Sequence, residues 1–185
     1  VLHGDLGILA DAMNLMGRYA AANHACIHHH IAKNLGAKVL LDIENHHNFA
    51  WEEEHELGGE LKKVIVHRKG ATPAGAGVMG IIPGSMTAPG FLVRGKGDAT
   101  AINSASHGAG RQMSRTQAIK NVSKADLKSI LQDVGVSLIG GGLDEAPMAY
   151  KDIHQVMASQ TELVDVVAKF SPKIVRMADD GSRED

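Results

Sequence analysis

From Ala71 to Val93 the chain carries no charged residue, and this stretch decides much of what it can become. A bilayer span needs about 20 apolar residues, so length alone would allow one here. Pro73, Pro83 and Pro89, interspersed with Gly75, Gly77, Gly80, Gly84 and Gly90, forbid a continuous helix. Short strands joined by tight turns are what remains, with strands expected at Ile81-Ile82 and Phe91–Val93 and no membrane span.

Around that stretch the pattern alternates between helix and strand. Leu9, Met13, Met16, Ala20, Ile27 and Ile31 recur at helical spacing and predict a long amphipathic helix over about 7–35, stopped by Gly36. Val39–Ile43 reads as a short strand. The acidic run Glu52, Glu53, Glu54 and Glu56 leads to a Gly58-Gly59 turn, and Val64–Val66 reads as a strand ending at His67. A helix is expected to start between Gly108 and Gly110 and run to Val122. A second covers Ala125–Val134 and stops at Gly135. Gly140–Gly142 is a turn, 151–160 a helix, and Leu163–Ala168 and Lys173–Met177 strands. The class is α+β, without the regular alternation of a Rossmann sheet.

The 185 residues and 19.6 kDa suit one domain, placed at 1–178 with a polar tail over 179–185. The chain opens at Val1 rather than Met and shows no secretory signal, which suggests a processed chain or a fragment. Its one cysteine, Cys26, excludes an internal disulfide and Cys-rich zinc motifs and fits a reducing, cytoplasmic setting. The net charge of -2 means that any nucleic-acid binding rests on a local basic patch. Aromatic residues, at 3%, argue against a row of base-stacking rings.

Five segments carry possible chemistry. Asn45-His46-His47-Asn48 offers imidazoles for a metal, or is simply a polar strand end. His28-His29-His30 faces several directions on a helix and is the weaker metal candidate. His67-Arg68-Lys69-Gly70-Ala71-Thr72 is an anion cradle or a basic turn. Pro83-Gly84-Ser85-Met86 is a turn where a ligand can approach the backbone. Ser106-His107-Gly108-Ala109-Gly110-Arg111 places an imidazole among small residues, open to a bulky ligand and to nucleophilic use. With the helix expected to begin there, its N-terminus would favour a phosphate, and Arg111 and Arg115 would share one face toward it, without a local carboxylate to compete. Finally, Asp144 and Glu145 in Leu143–Lys151 are base, ligand or cap.

Taken together, His47-Asn48, His67–Thr72, Pro83–Met86, Ser106–Arg115 and Asp144–Ile153 resemble, in order and approximate spacing, the C-terminal portion of the RtcB family of GTP-dependent RNA ligases. The resemblance implies a mixed RtcB-type fold. It implies joining of an RNA 3′-phosphate or 2′,3′-cyclic phosphate to a 5′-hydroxyl, in tRNA splicing or RNA repair, using GTP and Mn²⁺. It implies His107 as the nucleophile that takes GMP, and His47 as a manganese ligand. Asn48, Pro83, Gly84, Ser85, Met86, Gly108, Ala109 and Gly110 would contact the nucleotide. Arg68, Lys69, Arg94, Arg111 and Arg115 would meet RNA or triphosphate oxygens, and an archease-like activator is the implied partner.

The sequence also departs from that pattern. The family's further ligands, an Asp, a Cys and two His, belong to motifs upstream of this segment, and Cys26 does not replace the Cys. Gly90 stands where the family usually carries a hydroxyl, and Arg176 where a Lys reaches the guanine. The chain by itself is therefore expected not to ligate RNA. The alternatives are a non-catalytic RNA-binding fragment or degenerate paralogue, and a histidine-dependent nucleotidyl or phosphoryl transferase with another acceptor.

Overall fold

The computed structural model describes residues 3–46 and 48–177. Helix α1 spans His3–Asn34. It ends where Gly36 turns into the left-handed region at φ +61, with the Gly36 amide bonded to Lys33 O and the Ala37 amide to Ala32 O. The strand expected over Val39–Ile43 is instead an irregular connector. No neighbouring strand pairs with it, and Leu40 is 85% exposed. Its carboxylates face α1: Asp42 Oδ1 lies 3.1 Å from His28 Nδ1, and Glu44 Oε1 lies 3.7 Å from His24 Nδ1.

Strands β1 (Asn48–Leu57) and β2 (Glu60–Lys69) form a hairpin whose register runs from Asn48↔Lys69 to Leu57↔Glu60. Gly58 and Gly59, both at positive φ, make the two-residue turn. The acidic run is thus one strand of a charge zipper: Lys63 Nζ donates to Glu52 at 2.9 Å, and Arg68 donates through both terminal nitrogens to Glu53. This complementarity carries β2 well beyond the three residues expected of it.

Next come β3 (Ala71–Pro73), β4 (Met79–Ile82), β5 (Gly90–Gly95) and β6 (Ser104–Ser106). Helices α2 (Arg115–Asn121) and α3 (Lys124–Asp133) lead to β7 (Ser137–Gly140). After two 3₁₀ turns come α4 (Ile153–Ala158), β8 (Val164–Phe170) and β9 (Ile174–Arg176). β3 pairs antiparallel with β6, β4-β5-β8 form an antiparallel sheet, and β7 runs parallel to β9. The mixture is α+β, built from small sheets. One core cluster joins Ile82, Phe91, Val93, Ile153 and Val164. A second joins Met86, Leu127, Leu131 and Val136 under α3. Among the described residues no helix is long and apolar enough to cross a membrane. The tail expected over 179–185 lies outside the described residues.

The helix expected from Gly108 onward begins later, at Arg115. Its signal is a capping box: Ser114 Oγ accepts from the Gln117 amide, and Gln117 Oε1 accepts from the Ser114 amide. Residues 110–113 are held instead against the chain at 149–151. Gln112 and Met113 amides both donate to Ala149 O, and the Lys151 amide donates to Gly110 O. Ser123 and Asp126 repeat the same box at α3.

Arg68 is 3% exposed. Besides Glu53, it donates to Ser104 Oγ at 2.8 Å and to Ile102 O at 2.9 Å, and its guanidinium lies 5.1 Å from the Trp51 ring centre. It therefore ties the hairpin to the 102–104 loop and does not face a ligand, which corrects its expected role at RNA phosphates. The bond from Arg68 holds the Glu53 carboxyl below its ordinary 4.5. The unfolded chain therefore protonates Glu53 first as pH falls. The stabilisation is complete above pH 4.5 and declines as pH drops through the lowered folded value. Urea midpoints should fall from pH 6 to pH 3.5 more steeply in the native chain than in Glu53→Gln. Arg68→Ala, which leaves Glu53 with His55 alone and removes the tie to Ser104 and Ile102, should cost about 3 kcal/mol at pH 7 in the same assay.

Candidate active site

A cleft of about 750 Å³ opens where the ends of the hairpin, the β3–β6 pair and the 3₁₀ turns meet. That volume lies within the ordinary range for small-ligand sites. Asn48, Lys69, Pro83–Met86, His107–Gly110, Arg111 and Arg115 all line it, together with Glu145, Tyr150, Val175 and Met177.

Backbone pairing explains the convergence. The antiparallel register Ala71↔Ser106 places Gly70 opposite His107, whose amide donates to Gly70 O at 3.4 Å. Gly70 sits at φ +76, and a Cβ there would lie 3.8 Å from His107 Cε1 and Nδ1, so the turn runs directly beside the imidazole. The Ala109 amide donates to Pro83 O at 3.1 Å and docks the histidine loop on the Pro83–Met86 turn. Ser106 is fixed from both ends, with its amide bonded to Gln160 Oε1 and its hydroxyl to Gly108 O. Asn48 Oδ1 accepts from His67 Nε2 at 3.4 Å. His107 as a residue is half-buried, while its Nδ1 is shut off from solvent.

The positive side chains divide into engaged and available. Arg111 is not on a helix with Arg115 but in an isolated bridge to Tyr150. It donates to Glu145 at 3.3 Å, to Tyr150 Oη at 3.3 Å, to Met113 O and to Asp144 O, and lies 5.1 Å from the Tyr150 ring centre. Arg115 lies 3.7 Å from Glu145 and 4.0 Å from Asp144. The expectation of arginines without competing carboxylates fails because these acids come from the far side of the sequence, where helical spacing gives no sign of them. Arg115, with its longer contacts and 39% side-chain exposure, and the exposed Lys69 are the cations an anion can recruit.

Tyr150 is the contributor that sequence reasoning does not single out, and its partner is Glu145, one of the two acids left open as base, ligand or cap. Burial, and then the hydrogen bond to Glu145, push the Tyr150 phenol up to about 12. Tyr150 is therefore a neutral donor to Glu145 at any working pH.

Two expected residues sit elsewhere. Arg94 is exposed on β5 and does not line the cleft. On β9, Val175 and Met177 line it while Arg176, between them in the strand alternation, does not, which corrects its expected place at the base. His47 lies outside the described residues.

The donor set suits a nucleotide better than a metal. Small residues flank the imidazole, a Cβ on Gly110 would meet nothing within 4 Å, and Lys69 and Arg115 stand ready for phosphate oxygens. Among the described residues no three His, Cys, Asp or Glu side chains gather as a metal site.

Comparison with known proteins agrees with this arrangement. The family described as tRNA-splicing ligase RtcB matches residues 9–178. RNA-splicing ligase RtcB of Escherichia coli K12 is 48% identical over 129 residues, covering 70% of this chain and 31% of that protein. tRNA-splicing ligase RtcB of Nanoarchaeum equitans is 34% identical over 196 residues, covering 89% of this chain and 41% of its own length. RNA-splicing ligase RtcB of Mycobacterium tuberculosis is 35% identical over 153 residues, at 72% and 35% coverage. The chain thus spans between 31% and 41% of the length of these relatives. With its histidine loop, proline-glycine turn and hairpin end meeting in one cleft, it belongs to the RtcB family.

Proposed function

We propose that the full-length protein is a GTP-dependent RNA ligase joining RNA 3′-phosphate or 2′,3′-cyclic phosphate ends to 5′-hydroxyl ends, and that this chain supplies its nucleophile. The observation that carries the reading is His107, set among small residues in a cleft that Lys69 and Arg115 also line. A 2′,3′-cyclic phosphate end is first opened by water to a 3′-phosphate, and the His107 imidazole attacks the α-phosphorus of GTP. A nitrogen–phosphorus bond forms as the bond to pyrophosphate breaks. His107 then releases GMP to an RNA 3′-phosphate oxygen, and the RNA 5′-hydroxyl displaces GMP from that end. Lys69 and Arg115 neutralise the charge on the phosphate oxygens. Pro83–Met86 and Gly108–Gly110 form the walls against which the nucleoside lies. Dependence on Mn²⁺ would come from residues beyond the described set, with His47 among them, and an archease-like activator is the partner to seek.

In a full-length context, incubation with GTP and Mn²⁺ should add the mass of GMP to the protein, and His107→Ala should remove the adduct while leaving the fold intact. An adduct that persists in His107→Ala, or maps to a lysine, refutes the assignment. The lack of a metal cluster among the described residues favours a second reading for the chain in isolation, binding without catalysis. The 185-residue chain should show no ligation of a cyclic-phosphate-ended RNA with GTP and Mn²⁺. Robust turnover would overturn that expectation. Arg115→Ala should weaken RNA binding by about 1.5 kcal/mol, the lower end for a charge-assisted contact, because Asp144 and Glu145 already share its charge. The log–log salt slope should fall by about one unit.

A further inference from the structure

A second hollow of about 590 Å³ lies between α1 and β1. His46, Phe49 and Trp51 line it from one side, and Asp11, Asn14 and Arg18 from the helix. Aromatics are only 3% of the chain, yet here they gather: Phe49 and Trp51 ring centres are 5.0 Å apart, and His46 is 5.3 Å from Phe49. Arg68 covers one face of the indole, so a ligand in the hollow meets the rest of it. Gly17 lets α1 come down onto the Phe49 ring, since a Cβ there would fall 2.6 Å from Phe49 Cε2.

The polar wall is equally specific. Asp11, Asn14 and Arg18 follow one another at i, i+3 and i+7 and share one helix face. Arg18 makes no ion pair among the described residues, so its charge is uncommitted. A flat aromatic wall, a carboxylate and an amide for ring N–H groups, and a free guanidinium for a phosphate are together the requirements of an unstacked nucleotide. Strand alternation puts Asn48 in the cleft and the neighbouring Phe49 in the hollow. The cleft and the hollow thus flank the open end of the same hairpin, one on each face.

We propose that this hollow is an RNA subsite that takes one extruded nucleotide of the strand being ligated, stacked on Phe49 and Trp51 with its phosphate on Arg18. The proposal rests on the RNA-ligase reading. Asp11, as an acceptor, favours guanine, whose N1–H and N2 amino group present two adjacent donors, over uracil, whose single N3–H lies between two carbonyls.

Trp51 is the chain's single tryptophan, so the chain's tryptophan fluorescence comes from the wall of this hollow. The 185-residue chain is titrated with an unstructured, guanine-containing RNA hexamer bearing a fluorescent end label, read by Trp51 emission and by label anisotropy. Both signals should saturate at one half-point, and a hexamer of uridines should bind more weakly. Arg18→Gln, on an exposed helix position where folding is not at risk, should raise that half-point about tenfold, as loss of one charge-assisted contact requires. Lys33→Gln, an equal charge loss in the last turn of the same helix, should shift it far less. Binding seen by anisotropy with Trp51 emission unmoved, or an unchanged half-point in Arg18→Gln, overturns the subsite and leaves the RNA reading standing. No binding by either signal overturns the subsite in this chain, while GMP transfer to His107 in the full-length protein still decides the ligase reading separately.

Discussion

Three residue pairs between β3 and β6 hold the active cleft together. Ala71↔Ser106, Thr72↔Ala105 and Pro73↔Ser104 are a very short ladder, yet they decide where the hairpin's open end meets the histidine loop. Shifting that register by one residue would turn alternate side chains to the opposite face and carry Gly70 away from His107. The ladder is reinforced at both ends. Arg68 bonds Ser104 and Ile102 at one, and Gln160, 4% exposed, accepts the Ser106 amide at the other. The buried Arg68–Glu53 pair thus acts at a distance from the chemistry, by fixing the hairpin that presents Asn48 and Lys69 to the cleft.

The same logic separates cations that build the site from those that serve it. A guanidinium has five donors in a fixed fork, and Arg111 directs several of them into Glu145, Tyr150 and the Asp144 carbonyl. It locks the two 3₁₀ turns over the histidine loop. Arg115 keeps looser contacts with the same acids, so an incoming phosphate competes there with carboxylates that are already present. Binding at Arg115 is then an exchange of one anion for another. That favours ligands with more than one phosphate, because one phosphate can meet Arg115 while another meets Lys69.

Much of this was readable from residues. The glycine pair at 58–59 marked the hairpin, Gly36 and Gly135 marked helix ends, and the proline-rich apolar stretch excluded a span and became strands and turns. The late start of α2 was legible as well, in the Ser114-to-Gln117 capping box, but the small residues after His107 suggested an earlier start. Other features are tertiary by nature. β3 and β6 are three residues each, too short for periodicity, and exist only because they pair. Val39–Ile43 has strand-like residues and no partner strand, so composition alone misled. Arg68 looked like a phosphate ligand because His67, Arg68 and Lys69 read as one basic cluster. The strand alternates them, sending Arg68 inward and leaving Lys69 outside.

Gly90 shows how packing limits what the cleft can recognise. The family usually presents a hydroxyl at this position. Here a Cβ would fall 2.3 Å from Phe170 Cζ, because β8 lays the Phe170 ring across β5 at the pair Gly90↔Phe170. A side chain there would have to displace that ring, which is 50% exposed at the edge of the sheet. Nor does Arg176 supply a contact from β9, since its neighbours face the cleft instead. Under the proposed GTP chemistry, selection for guanine would fall to the backbone of the Pro83–Met86 turn and to Ser85, which line the cleft. The Ser85 hydroxyl accepts from the Ala88 amide at 3.3 Å, which leaves its own proton free to donate. A donor of that kind matches the guanine carbonyl, whereas the amino group of adenine at the same place would leave it unmatched.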